Sequence, residues 1–195
     1  MNTEKYWTER YESAQTGWDI GHVSTPIKSY FEQVEDKNLS ILIPGAGRAY
    51  EAEYLHNAGF ANVYVLDISA LPLQAIKKRI PDFPKENLIQ GDFFEHEGSY
   101  DIIVEQTFFC SFSPTKENRR TYAQKMHKLL KSGGKLVGLW FSFAAYGEPD
   151  SPPYGGSREE YLTYFEPNFR VKSFEPCYNS ISPRMGKELF GIFVK

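Results

Sequence analysis

The sequence is poor in several features that would place it in a specialised class of protein. It has only two cysteines, Cys110 and Cys177, in 195 residues, which is too few for a disulfide framework. It has no apolar run of roughly 18 residues that could span a membrane, and its N-terminal segment is polar and lacks the apolar core of a signal peptide. Its net charge of −3 gives no electrostatic reason to bind nucleic acid. These absences predict a cytoplasmic protein with neither nucleic acid nor a membrane as a partner.

The most informative stretch runs from Asn38 to Asp67. It reads as an apolar strand, a glycine turn, a helix and a second strand that ends in an acid. Gly45 and Gly47 allow the backbone of the turn to come close to a ligand, because neither has a Cβ. Asp67 follows Gly47 by 20 residues, which is the spacing of an acid that binds ribose hydroxyls. This stretch predicts a nucleoside-binding site.

The turn has no third glycine. The dinucleotide fingerprint needs one so that the helix can pack tightly and present its N-terminus to a pyrophosphate. Tyr50 stands in that place, so S-adenosyl-L-methionine, which has no phosphate, is a better candidate than a nicotinamide dinucleotide. Two alternatives stay open at this point: a nicotinamide-dependent oxidoreductase, and a non-catalytic module that only binds S-adenosylmethionine.

Strands and helices are predicted to alternate along the whole chain, which indicates one α/β domain over residues 1–195 with a mostly parallel sheet. Helices are expected after Thr25, which we assign as an N-cap, and after Ser69, and from Thr115 to Leu130. Residues 131–134 are expected to end that last helix, before a strand over 135–141. No crossover helix precedes the final strand, so the last strand pair is expected to be antiparallel. We list the predicted strands as 40–44, 63–66, 87–90, 100–105, 135–141, 170–174 and 189–194.

Candidate ligand-binding side chains follow several of these strands. Asp92, after the third strand, is placed to accept a hydrogen bond from an adenine amino group, with an apolar neighbour over the ring. Three aromatic residues after the fourth strand and one in the loop after the fifth form a candidate acceptor pocket: Phe108, Phe109, Phe112 and Tyr154. The aromatic segment over residues 1–25 is either a lid over the ligand or a hydrophobic clasp over the core.

Other features of the sequence give weaker signals. Cys110 has no histidine at a spacing typical of a catalytic pair, so we interpret it as a packed thiol. The four histidines form no metal-ligand pattern, and no metal is expected. Lys116, Arg119 and Arg120 look like one exposed face of a helix.

Several motifs together resemble class I S-adenosylmethionine-dependent methyltransferases of the thiopurine methyltransferase family, and among these the halide and thiol methyltransferases. The resemblance is strongest over residues 6–26, where Tyr-Trp-Thr-Glu-Arg-Tyr precedes Thr-Gly-Trp-Asp-Ile-Gly and Thr-Pro. It continues through the glycine turn, Leu66–Ser69, Thr107–Phe112 and Pro152–Tyr154, and so covers nearly the whole chain. Glu105-Gln106 departs from the family, which often has an aspartate followed by tyrosine or arginine there.

The resemblance implies a Rossmann-like fold with a seven-stranded sheet, an antiparallel last strand, helices on both faces and an N-terminal helical lid. It implies transfer of a methyl group to a small thiol or halide by a monomer or weak homo-oligomer. No side chain is expected to act as a catalytic nucleophile, because the sulfonium is already a strong electrophile. The resemblance implies that the cofactor-binding residues of this sequence are Trp7, Trp18, Gly45, Asp67, Asp92, Phe93 and Gln106. The glycine turn adds Gly47 to this set.

Overall fold

Residues 3–143 and 151–195 are described by a computed structural model of the protein. The chain divides into two units, Met1–Glu97 and Gly98–Lys195. The first unit contains four helices: α1 (Glu4–Glu12), α2 (Thr25–Phe31), α3 (Tyr50–Asn57) and α4 (Ala70–Arg79). Its strands are β1 (Ser40–Pro44), β2 (Asn62–Asp67) and β3 (Leu88–Gln90), the last preceded by a 3-10 turn over Lys85–Asn87.

The three strands of the first unit are parallel, in the order β3-β2-β1. Ile41, Leu42 and Ile43 are all buried, as expected for a strand covered on both faces. Because the strands are parallel, their carboxyl ends lie at one edge of the sheet, where ligands of open α/β folds bind.

Side-chain caps begin α1, at Thr3, and α4, at Ser69, whereas α2 and α3 begin without one. Ser69 caps α4 as expected, since its hydroxyl accepts a hydrogen bond from the Leu71 backbone N–H at 3.4 Å. The predicted N-cap of α2, Thr25, was wrong: Thr25 is the first helical residue and Ser24 is the cap. The Ser24 backbone N–H donates to the buried Glu51 side chain at 3.1 Å, so a tertiary contact helps to determine where this helix begins.

The second unit contains β4 (Tyr100–Gln106), α5 (Lys116–Leu129), β5 (Leu130–Phe141), α6 (Arg158–Phe165), β6 (Arg170–Pro176) and β7 (Glu188–Val194). Short 3-10 turns cover Phe109–Ser111 and Ser182–Arg184. The strand order is β4-β5-β7-β6; β4 and β5 are parallel, whereas β7 runs antiparallel to both of its neighbours. The predicted fold class, a mostly parallel α/β sheet of seven strands with an antiparallel last strand, is confirmed.

The segment between α5 and β5 differs from the prediction. Residues 131–134 were expected to form a turn that ends the helix, but β5 already begins at Leu130. The register with β4 shifts there, since Tyr100 pairs with Leu130 and Ile102 with Lys135. The Gly133 backbone N–H donates to the Lys195 carbonyl at 3.0 Å, and the Lys195 N–H donates to the Gly134 carbonyl at 3.0 Å. These hydrogen bonds to Lys195 hold Gly133 and Gly134 in the sheet, at the point where the register between β4 and β5 is irregular.

Aromatic side chains dominate the core of the second unit. The buried rings of Phe165 and Phe193 stack at 4.6 Å, and Trp140 packs edge-on against Phe193 at 5.3 Å. The loop predicted after the fifth strand, over residues 144–156, is described from Ser151 onward, and the remainder of that prediction lies outside the described residues. Across 3–143 and 151–195, no helix has both the length and the apolar character needed to cross a membrane.

Candidate functional site

The glycine turn after β1 is held against the end of β2. Gly45 and Gly47 have φ of 56° and 54°, a left-handed conformation in which a side chain is strained. The Gly45 backbone N–H donates to the Leu66 carbonyl at 2.7 Å. The Gly47 N–H points to the Asp67 side chain, with 3.4 Å between the nitrogen and Oδ2. The turn predicted from sequence and the acid predicted to follow it are therefore brought together.

Asp67 is a buried carboxylate at the carboxyl end of β2, only 6% exposed. Its Oδ1 accepts a hydrogen bond from the Ser69 backbone N–H at 2.9 Å. Burial raises the pKa of Asp67 to about 6, against the opposing effect of hydrogen bonds from backbone N–H groups. A carboxylate has about four acceptor positions, so the oxygens of Asp67 can accept further hydrogen bonds from hydroxyl donors such as those of a ribose.

The aromatic residues before the first strand pack beside this turn. Trp7 and Trp18 meet edge to face with ring centroids 5.6 Å apart, and Tyr11 meets Trp18 in the same way at 5.7 Å. A Cβ added to Gly47 would lie 3.4 Å from Trp18 Nε1 and 3.7 Å from the Tyr11 hydroxyl. Burial raises the pKa of Tyr11, and the nearby Asp67 charge raises it further.

Tyr11 was not among the predicted cofactor-binding residues, although it adjoins two of them. A usable signal was present, because Trp7 and Tyr11 are four residues apart and so share one face of α1. An aromatic at that spacing, followed by Trp18, predicts one continuous aromatic surface.

Polar contacts tie the aromatic segment before the first strand, residues 3–25, which we call the leader, to the rest of the first unit. The Thr8 hydroxyl on α1 lies 2.8 Å from the hydroxyl of Ser69, which follows Asp67 by two residues. Arg48, in the glycine turn, donates to Asp19 at 3.1 Å. Arg48, the cation within the glycine turn, is therefore paired with Asp19 of the leader, the residue after Trp18.

The segment after β3 adjoins the same edge of the sheet. The Gly91 backbone N–H donates to the Asp67 carbonyl at 3.0 Å. Asp92 is exposed, and its Oδ1 accepts a hydrogen bond from the Phe94 N–H at 2.8 Å, which makes a local turn. Phe93 is buried and packs edge-on against Phe94 at 5.1 Å. The first unit thus gathers seven of the eight predicted cofactor residues; Gln106 belongs to the second unit.

The acceptor candidates follow β4 in the second unit. Gln106 is half-buried at the end of that strand. Phe108 and Phe112 are half-buried and meet edge to face at 4.8 Å. Phe109 is 4% exposed and packs against Tyr122 with ring centroids 4.8 Å apart. Phe108 and Phe112 therefore keep accessible surface in this structure, whereas Phe109 is part of the core.

The fourth acceptor candidate, Tyr154, is connected to the same segment. Tyr154 is buried, and its backbone N–H donates to the Cys110 carbonyl at 2.8 Å. The Cys110 thiol is buried, lies 3.3 Å from the Thr107 carbonyl, and has a pKa raised by burial. The interpretation of Cys110 as a packed thiol is confirmed.

Two charged residues of the second unit, Glu105 and Arg119, are buried, and neither was among the predicted site residues. Glu105 is fully buried at the end of β4, where burial raises its pKa to about 7. Arg119 was predicted on an exposed helix face together with Lys116 and Arg120, and for Arg119 this was wrong, since it is 3% exposed. For Glu105 a signal existed, because it directly follows three apolar residues of a strand that is buried on both faces. For Arg119 there was none, since its partners are distant in sequence.

The residues of the first unit suit S-adenosylmethionine. Gly45 and Gly47 offer a backbone without side chains, Asp67 offers a buried acceptor, and the tryptophans offer aromatic faces. Tyr50 begins α3 in place of a third glycine, and its bulky side chain at the helix N-terminus does not favour a pyrophosphate. In residues 3–143 and 151–195 no group of three His, Cys, Asp or Glu side chains is arranged to hold a metal ion.

Comparison with known proteins agrees with this geometry. Residues 2–194 match the family model described as thiopurine S-methyltransferase. A protein of Arabidopsis thaliana named probable thiol methyltransferase 2 is 31% identical over 100% of this chain and 86% of its own length. Thiocyanate methyltransferase 1 of Brassica oleracea is 28% identical over 97% of this chain and 84% of its own. A Burkholderia thailandensis N-methyltransferase, solved with S-adenosylhomocysteine, has a TM-score of 0.76 at 15% identity, covering 98% and 86% of the two chains.

The fold and the glycine-turn site define a class I methyltransferase that uses S-adenosyl-L-methionine. Within that class, the chain belongs to the thiopurine S-methyltransferase family. It is therefore an enzyme that transfers a methyl group to a small-molecule acceptor, and the nicotinamide and non-catalytic alternatives are set aside.

Proposed function

We propose that this enzyme methylates a small thiol-type nucleophile, such as bisulfide, thiocyanate or a thiopurine, and that halides form a second acceptor class. The observation that carries the proposal is the similarity over the whole chain to relatives named thiol and thiocyanate methyltransferases. The aromatic residues after β4 support it, because desolvation in an apolar site costs a large, polarisable anion less than a small, hard one.

In the proposed site each predicted residue has a specific task. Asp67 accepts hydrogen bonds from the ribose, Asp92 and Phe93 contact the adenine, and Gly45 and Gly47 lie along the methionine portion. Trp7 and Trp18 cover the cofactor and exclude water, and Gln106 contacts the methionine end. Phe108 and Phe112, which keep accessible surface, line the acceptor pocket, and the other two predicted pocket residues, Phe109 and Tyr154, are buried.

The reaction would be an in-line displacement: as the acceptor's lone pair forms a bond to the methyl carbon, the bond from that carbon to the sulfonium sulfur would break, and the sulfur would leave with the electron pair as the neutral thioether S-adenosylhomocysteine. The bound cofactor supplies a sulfonium-activated methyl group, so the chain needs neither a metal nor a covalent nucleophile. Positioning two reactants in this way contributes roughly 7–11 kcal/mol to lowering a barrier. The apolar side chains also keep water away from the attacking atom.

Incubation with methyl-labelled S-adenosylmethionine and a panel of acceptors tests the proposal. The panel contains bisulfide, thiocyanate, a thiopurine, an aromatic thiol, iodide and chloride, together with a phenol and an amine of matched size. We expect labelled thioethers or methanethiol, and methyl iodide in smaller yield. Transfer confined to the phenol or the amine would contradict the proposed acceptor class.

Three further properties belong to the proposal. We expect a monomer or weak homo-oligomer, located in the cytoplasm, that does not bind nucleic acid. Light scattering on the purified protein tests the first, a fluorescent fusion the second, and a gel-shift titration with duplex DNA and RNA the third.

A further inference from the structure

Glu105 holds the turn that carries the acceptor candidates. One oxygen, Oε1, accepts hydrogen bonds from the backbone N–H groups of both Phe108, at 2.8 Å, and Phe109, at 2.9 Å. The other oxygen accepts from the Tyr122 hydroxyl on α5. A fully buried carboxylate is costly to desolvate unless it is well hydrogen-bonded, and these three donors meet that requirement. The carboxylate therefore connects the turn after β4 to a helix of the core.

Arg119 makes a matching set of contacts from the start of α5. It donates to the Gly155 carbonyl at 2.7 Å and pairs with Glu160 on α6. Its guanidinium lies 5.3 Å from the centre of the Phe109 ring and 5.2 Å from that of the Tyr161 ring. A planar guanidinium presents five donors in a rigid fork and also stacks on aromatic faces, so it can form such hydrogen bonds and ring contacts at the same time.

Glu105 and Arg119 both contact the same aromatic residue, Phe109. Glu105 fixes the backbone of Phe109, and Arg119 lies against its ring. The loop residue Tyr154 joins this arrangement, because its backbone N–H donates to Cys110 and the carbonyl of its neighbour Gly155 accepts from Arg119. Both segments that contain acceptor candidates are thus held by buried charged groups.

We propose that Glu105 and Arg119 are positioning residues that set the acceptor pocket, by fixing the segment 107–112 and the loop at 154–155 relative to one another. The inference rests on the proposed function, which assigns those segments to the acceptor. Neither charged side chain needs to touch the acceptor, since each acts through the aromatic residues that it holds. The acceptor rather than the cofactor is therefore the substrate whose binding depends on them.

Steady-state kinetics with paired variants test this role. Glu105→Met keeps the side-chain length but removes both acceptor oxygens, whereas Glu105→Gln keeps one oxygen for the two backbone N–H groups. Arg119→Met keeps the apolar stem and removes the guanidinium. Lys131→Met is the control, because it breaks an ion pair with Asp101 at the surface of the same unit.

We expect the two methionine variants of the buried residues to raise KM for the acceptor at least tenfold, with the Kd for S-adenosylhomocysteine changed less than twofold. Glu105→Gln should restore most of the acceptor affinity, and Lys131→Met should match the wild type. Unchanged KM values would overturn the inference. So would an equal loss of acceptor and cofactor affinity together with a lower Tm, because that pattern indicates damage to the fold alone.

A second readout separates the inference from the proposed function. If the wild type methylates nothing in the panel, the proposed function fails, and hydrogen exchange at the Phe108 and Phe109 amides then decides the inference. In Glu105→Met we expect those two amides to exchange at least tenfold faster, with Glu105→Gln close to the wild type. Equal exchange rates in all three proteins would overturn the positioning role.

Discussion

Replacement of Asp67 by alanine tests the cofactor site most directly. The change removes a buried carboxylate whose oxygens accept hydrogen bonds from the backbone N–H groups of Ser69 and Gly47. It also removes the acceptor that we assign to the ribose hydroxyls. Loss of cofactor affinity is therefore expected together with some loss of stability, and the two effects have to be measured separately.

The size of each effect follows from the hydrogen bonds involved. A hydrogen bond to a charged group contributes about 1.5–3 kcal/mol, and 1.4 kcal/mol corresponds to a tenfold change in affinity. Loss of one ribose contact then weakens binding roughly 10- to 150-fold. A buried N–H left without a partner costs about 1–3 kcal/mol of stability, which applies to the Ser69 amide.

Isothermal titration with S-adenosylhomocysteine, with a melting curve of each protein, measures both effects. Asp36→Ala is a matched control, because Asp36 accepts from the backbone N–H two residues later at 2.9 Å, as Asp67 does, but in an exposed turn. Asp67→Asn is the second variant, since it keeps one oxygen for the Ser69 amide and so spares the fold.

The pKa of Asp67 adds a pH signature to this prediction. Because that pKa is raised to about 6, protonation below pH 6 removes acceptor capacity, and wild-type affinity for S-adenosylhomocysteine should fall there. The asparagine variant should bind weakly at every pH. A folded Asp67→Ala protein that binds within twofold of the wild type would refute the assignment of Asp67 to the ribose.

Three further predictions concern stability and packing. Gly47→Ala should lower stability by roughly 1–2 kcal/mol, because residue 47 has a left-handed backbone conformation, and it should also weaken cofactor binding. Gly59→Ala is the control: its φ is 84° and nothing lies within 4 Å of an added Cβ, so it should show only the loss of stability. Thr8→Val removes the hydroxyl contact between α1 and Ser69, the cap of α4, so proteolysis within residues 3–24 should be faster than in Thr163→Val, where the lost contact is an exposed one within the single helix α6. Glu105 has a pKa raised from 4.5 to about 7, so the native state binds more protons than the unfolded state in that window and stability falls as pH rises through it. Glu105→Gln should lack this loss, and its Tm relative to the wild type should rise between pH 4.5 and 8.

Each of these predictions has a clear contrary result. Equal cofactor affinity in the two glycine variants would mean that the surface beside Trp18 and Tyr11 does not bind ligand. Equal cleavage rates in the two threonine variants would show that the hydroxyl contact does not hold the leader in place. A Tm difference that is constant with pH would mean that Glu105 titrates alike in the folded and unfolded chains.

Much of the fold was predictable because it depends on local chemistry. The glycine turn, the capping serine at 69 and the alternation of apolar strands with helices are each encoded within a few neighbouring residues. The errors arose where a residue distant in sequence determines the local structure. Thr25 was a reasonable cap on local grounds, but Ser24 has a contact with Glu51. Residues 131–134 carry a turn signal, but hydrogen bonds to Lys195 keep them in the sheet.

The candidate site also has some features that depend on local sequence and others that depend on tertiary contacts. The linear pattern alone predicted that Gly45, Gly47 and Asp67 lie together, and they do, because the spacing along one strand–turn–helix–strand unit fixes their relation. Burial of Arg119 emerged only from the folded chain, and the apolar strand before Glu105 gave a signal for its burial but not for its partners. A charge is stable inside a protein only when partners surround it, and those partners, Tyr122 and Glu160 among them, come from other elements that meet only after folding.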